Sequence, residues 1–431
     1  MSKFLNSSFI FFWVEKFGSF RFFERCKNRN VPNEREKKKI SKMLSVGLFF
    51  FCFCFPCQTA IKVSTFFRTR HYILLLTITT TAFGQIPLNP GVDTTDKELK
   101  AVYTLWTNYL ISKPNKDNIK NSPYWAESEK IKYPKVDQLL NAINTETPTY
   151  SMGYPTILYM KSQNGFIEIK TLFGWSDSLK NIYALCITSV FAKKENGEYK
   201  LYNALTVNSY NWQIQKIGSL TFHFPLTHIF DKAKATILIS SIDSLRKQWK
   251  LNSAPIDYYF ADTYEEIQHL RGLDFAIGMG NKDKPSGISD QETNTVFAGG
   301  LGENYFHEVV HIYLNRLFPN SSLVEGLAVF YGGSIGHDLK WHLTRLNDYL
   351  NQHPEINLND FEDFWYMDNF TNPNSTIQGL LCYLAYKNGG LDKLKQLMSY
   401  DDTIVAIEKE FGIKKDELNK FFREQINLNK N

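Results

Sequence analysis

The pentapeptide His307-Glu308-Val309-Val310-His311 constrains this 431-residue chain more than any other feature. In a helix, at about 100° per residue, His307 and His311 fall one turn apart on the same face, so two imidazoles can converge on one Zn²⁺. Glu308 lies one step round, beside such a metal rather than on it, where a carboxylate can take a proton from a water held there. The neighbours Tyr305, Phe306, Val309, Val310, Ile312, Tyr313 and Leu314 are apolar almost all round, which predicts a buried helix rather than a solvated one. Buried histidines need partners, so burial separates the metal reading from that of a surface helix with two solvated histidines.

A third ligand decides the subclass. Glycine at 314 and histidine at 317 would continue the motif as a metzincin, but both positions are leucine. The other solution is a glutamate on the next helix. After the break at Pro319, Ser322 to Phe330 reads as such a helix with Glu325 in its first turn, and Gly326 and Ala328 are small enough to let it approach the first. Ser322-x-x-Glu325 also matches a capping box, so ligand and cap are rival roles for one carboxylate.

These stretches resemble the gluzincin metallopeptidases, specifically the bacterial peptidase MA-like group. The resemblance rests on the His307 to His311 motif, on Glu325-Gly326-Leu327-Ala328, and on a helical tail from Gly389-Gly390-Leu391 through Glu408 to Ile413 and Glu417-Leu418, and it spans residues 228–427. It implies a thermolysin-like zinc core in an α+β fold with a mostly helical C-terminal half. It further implies His307, His311 and Glu325 as ligands of one Zn²⁺ per chain, Glu308 as general base, and hydrolysis of a peptide or protein substrate. Two positions depart from the pattern. Val329 stands where related enzymes often place an acid that orients a ligand histidine, and the segment around Asn374 and Ser375 lacks the tyrosine often found there. The donor that would hold an oxyanion is therefore open, with His337, Tyr331 and Tyr366 as candidates. The alternative function is a catalytically inactive zinc-fold protein that serves as a binding scaffold.

Charge is unevenly spread. Residues 1–85 carry 14 Lys and Arg against 4 acidic residues, leaving 35 basic and 40 acidic residues beyond them, so the net charge of +5 belongs to the leader and gives no reason to propose nucleic acid. Arg68, Arg70 and His71, the apolar run Tyr72 to Thr81, and Ala82-Phe83-Gly84 before Gln85 have the order of an export signal, placed at 71–84. The expectation is an exported protein, periplasmic or extracellular, beginning near Gln85, with residues 1–70 outside the fold and no stable membrane span after processing. The rival is a double-hydrophobic anchor that keeps the leader attached. Cys52, Cys54 and Cys57 lie among phenylalanines with no histidine nearby and do not read as a metal site, while Cys186 and Cys382 read as two buried thiols.

An α+β accessory domain is expected over 85–226. It begins with a helix carrying Leu99, Val102, Tyr103, Leu105, Trp106, Tyr109 and Leu110 on one face, and a second near Val136 to Ile143. Strands follow, turning at Asn164-Gly165 and at Asn196-Gly197, with Ser219 to Phe224 closing the set. The zinc domain is expected over 228–431, with a helix from Ala233 to Leu251, a strand at Pro255 to Phe260, a loop over 278–290, and a helix from Leu339 to Leu350. Asn294 to Ala298 reads as the edge strand that could hold an extended peptide, and Gly300 to Asn304 as a turn leading into the motif helix.

Overall fold

A computed structural model of the chain describes residues 86–112, 122–133, 153–276, 279 and 284–430. The leader, the export signal with its cleavage site, and the helix near Val136 to Ile143 lie outside the described residues. Within them the fold is α+β, with two five-stranded sheets and a helical C-terminal half.

Helix α1 (Lys97–Ile111) starts at Asp96, whose carboxylate accepts from the backbone N–H groups of Glu98 and Leu99. Its apolar spacing buries Val102, Trp106, Tyr109 and Leu110 on the first sheet, and the Trp106 indole N–H donates to Thr171 Oγ1 at 3.0 Å. Farther on is the short helix α2 (Glu127–Lys132). The sheet is an antiparallel run of β1 (Tyr154–Gln163), β2 (Phe166–Ser176), β3 (Ile182–Glu195) and β4 (Glu198–Tyr202). Both of the Asn-Gly turns form, with positive φ at each central residue as that hairpin type requires. The short helix α3 (Ala204–Asn208) follows.

Where the first sheet ends differs from expectation. The strand read as closing it, β6 (Leu220–Phe224), forms a hairpin with β5 (Gln213–Ile217) and then pairs in parallel with β7 (Ile256–Ala261). The reason is the helix between them, α4 (Lys232–Trp249). Leu220, Phe222 and Phe224 face its Ala235, Leu238 and Ile242 in the larger core, which makes a local strand–helix–strand unit. After β7 and α5 (Tyr264–Leu270), the strand β8 (Leu273–Ala276) returns to the first sheet and pairs with β3. A division at 226/228 thus cuts through the second sheet, and the chain crosses between the sheets three times, from β4 to β5, from β7 to β8 and from β8 to the two strands that follow it.

The order of the second sheet is β5-β6-β7-β10-β9, which brings another correction. Thr295–Gly299 (β10) is flanked on both sides, parallel to β7 and antiparallel to β9 (Ser286–Asp290), so it is not an edge. The edge is β9, inside the segment expected to be loop. Ser-Gly-Ile-Ser-Asp has no apolar alternation to mark a strand, and a turn with Asn294 at φ 52 folds it alongside β10.

The helical half contains α6 (Phe306–Leu314), α7 (Val324–Gly332), α8 (Leu339–Gln352), α9 (Pro373–Met398), α10 (Thr403–Phe411) and α11 (Leu418–Asn429). Gly326 does not admit α6, as expected of it, but α9: a Cβ there would stand 2.5 Å from Gln378. Gly332 makes the close approach to α6, where a Cβ would stand 2.5 Å from the backbone nitrogen of His307. Cys186 and Cys382 are free and buried.

Candidate metal centre

Every residue of α6 from His307 to Leu314 is buried, which excludes the solvated surface helix. Its start is held from β7. The Tyr258 hydroxyl accepts the Tyr305 backbone N–H at 3.0 Å and donates to the Gly302 carbonyl at 3.0 Å, so the turn before the motif cannot drift from the sheet.

Both imidazoles are oriented from behind. His307 Nδ1 donates to the Gly333 carbonyl at 2.6 Å, and His311 Nδ1 donates to Asn315 Oδ1 at 3.1 Å. With the ring protons on Nδ1, the Nε2 lone pairs turn inward and lie 3.2 Å apart. Glu325 completes the group, its carboxylate oxygens 3.5 Å from His311 Nε2 and 3.7 Å from His307 Nε2. Burial alone would lower the His307 pKa, but the carboxylates of Glu325 and Glu308 and the Gly333 carbonyl outweigh it, and the net shift is upward.

The rival role for Glu325 is not taken. Helix α7 begins at Val324 with Leu323 as its N-cap and no side-chain capping bond, so the helix starts too late for the box. The Ser322 hydroxyl instead meets Thr403 Oγ1 at 2.8 Å. Val329 carries no orienting acid because it faces α9, packed on Gly379. The orienting acceptors come from Gly333, in a turn at φ 67, and from Asn315. Sequence reasoning missed both. Their signals were present: Asn315 follows His311 by one helical turn, and a Gly-Gly pair ends the helix that bears Glu325.

One ligand atom each from His307, His311 and Glu325 lie within 4.8 Å of one another, a group that can hold a metal ion. Two ligand atoms about 2.0–2.1 Å from a tetrahedral centre stand about 3.3 Å apart, so the observed separations fit such an ion without rearrangement of the backbone. Glu308, buried beside the cluster, faces β9, where Gly287 permits the approach. A Cβ on Gly287 would stand 2.9 Å from Glu308 Cγ and closer still to the Tyr305 ring.

The cluster opens on a cleft of about 410 Å³, walled on one side by β9 and on the other by the segment 365–372. That second wall is stapled by polar groups. Asp368 accepts from the backbone of Phe370 and Thr371 and pairs with Arg345, while His342 joins Thr371 Oγ1 to the Ser334 carbonyl. Of the three oxyanion candidates, only Tyr366 lines the cleft. Tyr331 accepts from the Trp249 indole and donates to Gln248, and His337 stacks on Trp341 with ring centroids 3.7 Å apart. Tyr305, read from sequence only as an apolar neighbour, also lines the cleft, its ring 5.6 Å from that of His307 and nearly parallel to it.

The fold and the cluster define an α+β protein in which two buried histidines and a half-exposed glutamate converge at the floor of a cleft. The chain matches no family model, no curated protein and no solved structure.

Proposed function

We propose that the protein is an exported, zinc-dependent metallopeptidase with a gluzincin-type, thermolysin-like site. The observation that supports it best is the convergence of two buried imidazole lone pairs and a carboxylate at 3.2–3.7 Å, with both ring protons already committed to acceptors on the far side. Electron-pair donors so gathered repel one another unless a cation or a proton lies between them.

His307, His311 and Glu325 hold the ion, and Gly333 and Asn315 aim the imidazoles. When bound, zinc acidifies a water and polarises the carbonyl to be attacked. Glu308 takes the proton from the attacking water and passes it to the departing amine. Tyr366 donates to the oxygen that becomes negative as the carbonyl is attacked. The outer edge of β9 is not paired among the described strands, and its backbone binds the substrate as an added antiparallel strand. No described helix is long and apolar enough to cross a membrane.

Metal analysis and peptide cleavage by the wild type and Glu308→Gln test this reading. Glutamine keeps the size but cannot accept the proton, so the variant should bind zinc normally and lose about 10²–10⁴-fold in rate. Loss of zinc would make Glu308 a ligand, and parent-like cleavage would end the hydrolase reading.

A further inference from the structure

The cleft reaches both faces of the second sheet around its edge. On the α6 face, Gly287 looks toward Tyr305 and Glu308. On the other face, Ile288 pairs with Phe297 of β10 and packs beneath α5, and there the cleft is lined by Arg271. A substrate strand added to β9 must send alternate side chains to these two faces. The residues that do not meet the metal therefore meet Arg271.

Arg271 is a built feature and not a surface cation. It is only 9% exposed, its guanidinium lies 5.3 Å from the Phe297 ring centre, and one amino group donates to Gln268 Oε1 at 3.3 Å. The planar fork has five N–H donors, enough to serve its neighbours and a ligand together. Lys284 lines the same cleft. Of the carboxylates that line it, Glu308 and Glu325 belong to the cluster, and Asp368 is committed to Arg345 and to two backbone N–H groups. Among the described lining residues away from the metal group, the charged side chains not accounted for in this way are Arg271 and Lys284, and Asp290 at the end of β9 lies within electrostatic reach of Arg271.

We infer that Arg271, supported by Lys284, forms a subsite for a carboxylate of the bound polypeptide, on the sheet face opposite the metal group. The inference rests on the reading of β9 as the substrate's edge. The carboxylate is an acidic side chain or the chain terminus, which share this chemistry.

Pools of fluorescent peptides with Glu or Gln at one fixed position, each with a free or amidated C-terminus, distinguish the cases on the zinc-loaded full chain. In one register the Glu pool should be cleaved with a kcat/KM about tenfold to a hundredfold above its Gln counterpart. Arg271→Met should erase that ratio by lowering cleavage of the pool that carries the recognised carboxylate toward that of its counterpart without it. A preference that follows the free C-terminus identifies the terminal carboxylate as the source. Anisotropy with the Glu308→Gln chain reads binding of the same pools without turnover, so a protein that hydrolyses nothing fails the peptidase reading while the subsite is still judged. Indifference to the carboxylate in both assays, failure of every pool to bind, or a ratio that survives Arg271→Met overturns the inference. Should Arg271→Met fail to fold by circular dichroism, Arg271→Lys replaces it; loss of the fork must lower the ratio, and an unchanged ratio overturns the subsite.

Discussion

Two glutamates, Glu129 buried and Glu325 half exposed in the cleft, have opposite surroundings. Glu129 is 2% exposed and accepts from the Asn203 backbone and side chain at 3.0 and 2.9 Å and from Thr206 Oγ1 at 2.9 Å, so its oxygens meet donors at the start of α3. Glu325 meets two imidazole nitrogens whose ring protons point elsewhere. A carboxylate that meets donors is satisfied structure, whereas one that converges with other electron-pair donors gains by sharing a cation with them. The difference separates a joint from a site.

The largest effect that could break this contrast is expected at Glu325. Glu325→Ala should abolish stoichiometric zinc in metal analysis, whereas loss of a mere helix cap would cost about 0.5–2 kcal/mol of stability and leave the metal in place. Full occupancy in that variant would put Glu325 in the same class as Glu129. Asn315→Leu comes next. It removes the acceptor behind His311 without touching a ligand, and zinc affinity from chelator competition should fall about 10–100-fold. An unchanged affinity would show that the ring needs no such support.

Glu129→Gln probes the other side of the comparison. One acceptor oxygen is replaced by a donor that faces donors, so urea unfolding should show about 1–3 kcal/mol of lost stability with zinc content unaltered. A coupled loss of zinc would mean that the two regions are not independent.

A smaller effect is expected at His228, which lies between Asp262 at 2.7 Å and the buried Glu303 at 2.9 Å in the turn leading to α6. Burial acts to lower its pKa, but the bonds to Glu303 and Asp262 prevail, and the folded value lies above the usual 6.5. With the folded pKa raised, the stabilisation is fully present below about pH 6.5 and is lost as pH rises through the folded value. The stability gap between wild type and His228→Asn should therefore narrow from pH 6 to pH 9 in urea titrations at about those two values. A gap that widens over that range would reverse the assignment.

How much of this was legible depended on range along the chain. The motif helix, the Asn-Gly hairpins, α1 and α4 follow from periodicities and turn chemistry contained within a few residues, and those signals were strong. The spacing of His307, His311 and Glu325 was legible for the same reason, since one helix and the next turn of chain carry all three. What stayed hidden was settled by partners far apart in sequence. Leu220–Phe224 has the alternation of a strand, but alternation does not name a neighbour, and the packing of α4 gave it to β7. Ser286–Asp290 has no strand pattern and became the edge because β10 was already flanked by β7. Gly326 reads in the sequence as admitting the motif helix, but the assembled core set α9 against it and gave the close approach to α6 to Gly332. The same holds at the centre of the site. The sequence by itself determined which side chains can converge, because a helix repeats every 3.6 residues or so. Only the tertiary structure decided which acceptors take the imidazole protons, because the Gly333 carbonyl reaches His307 from a turn 26 residues away.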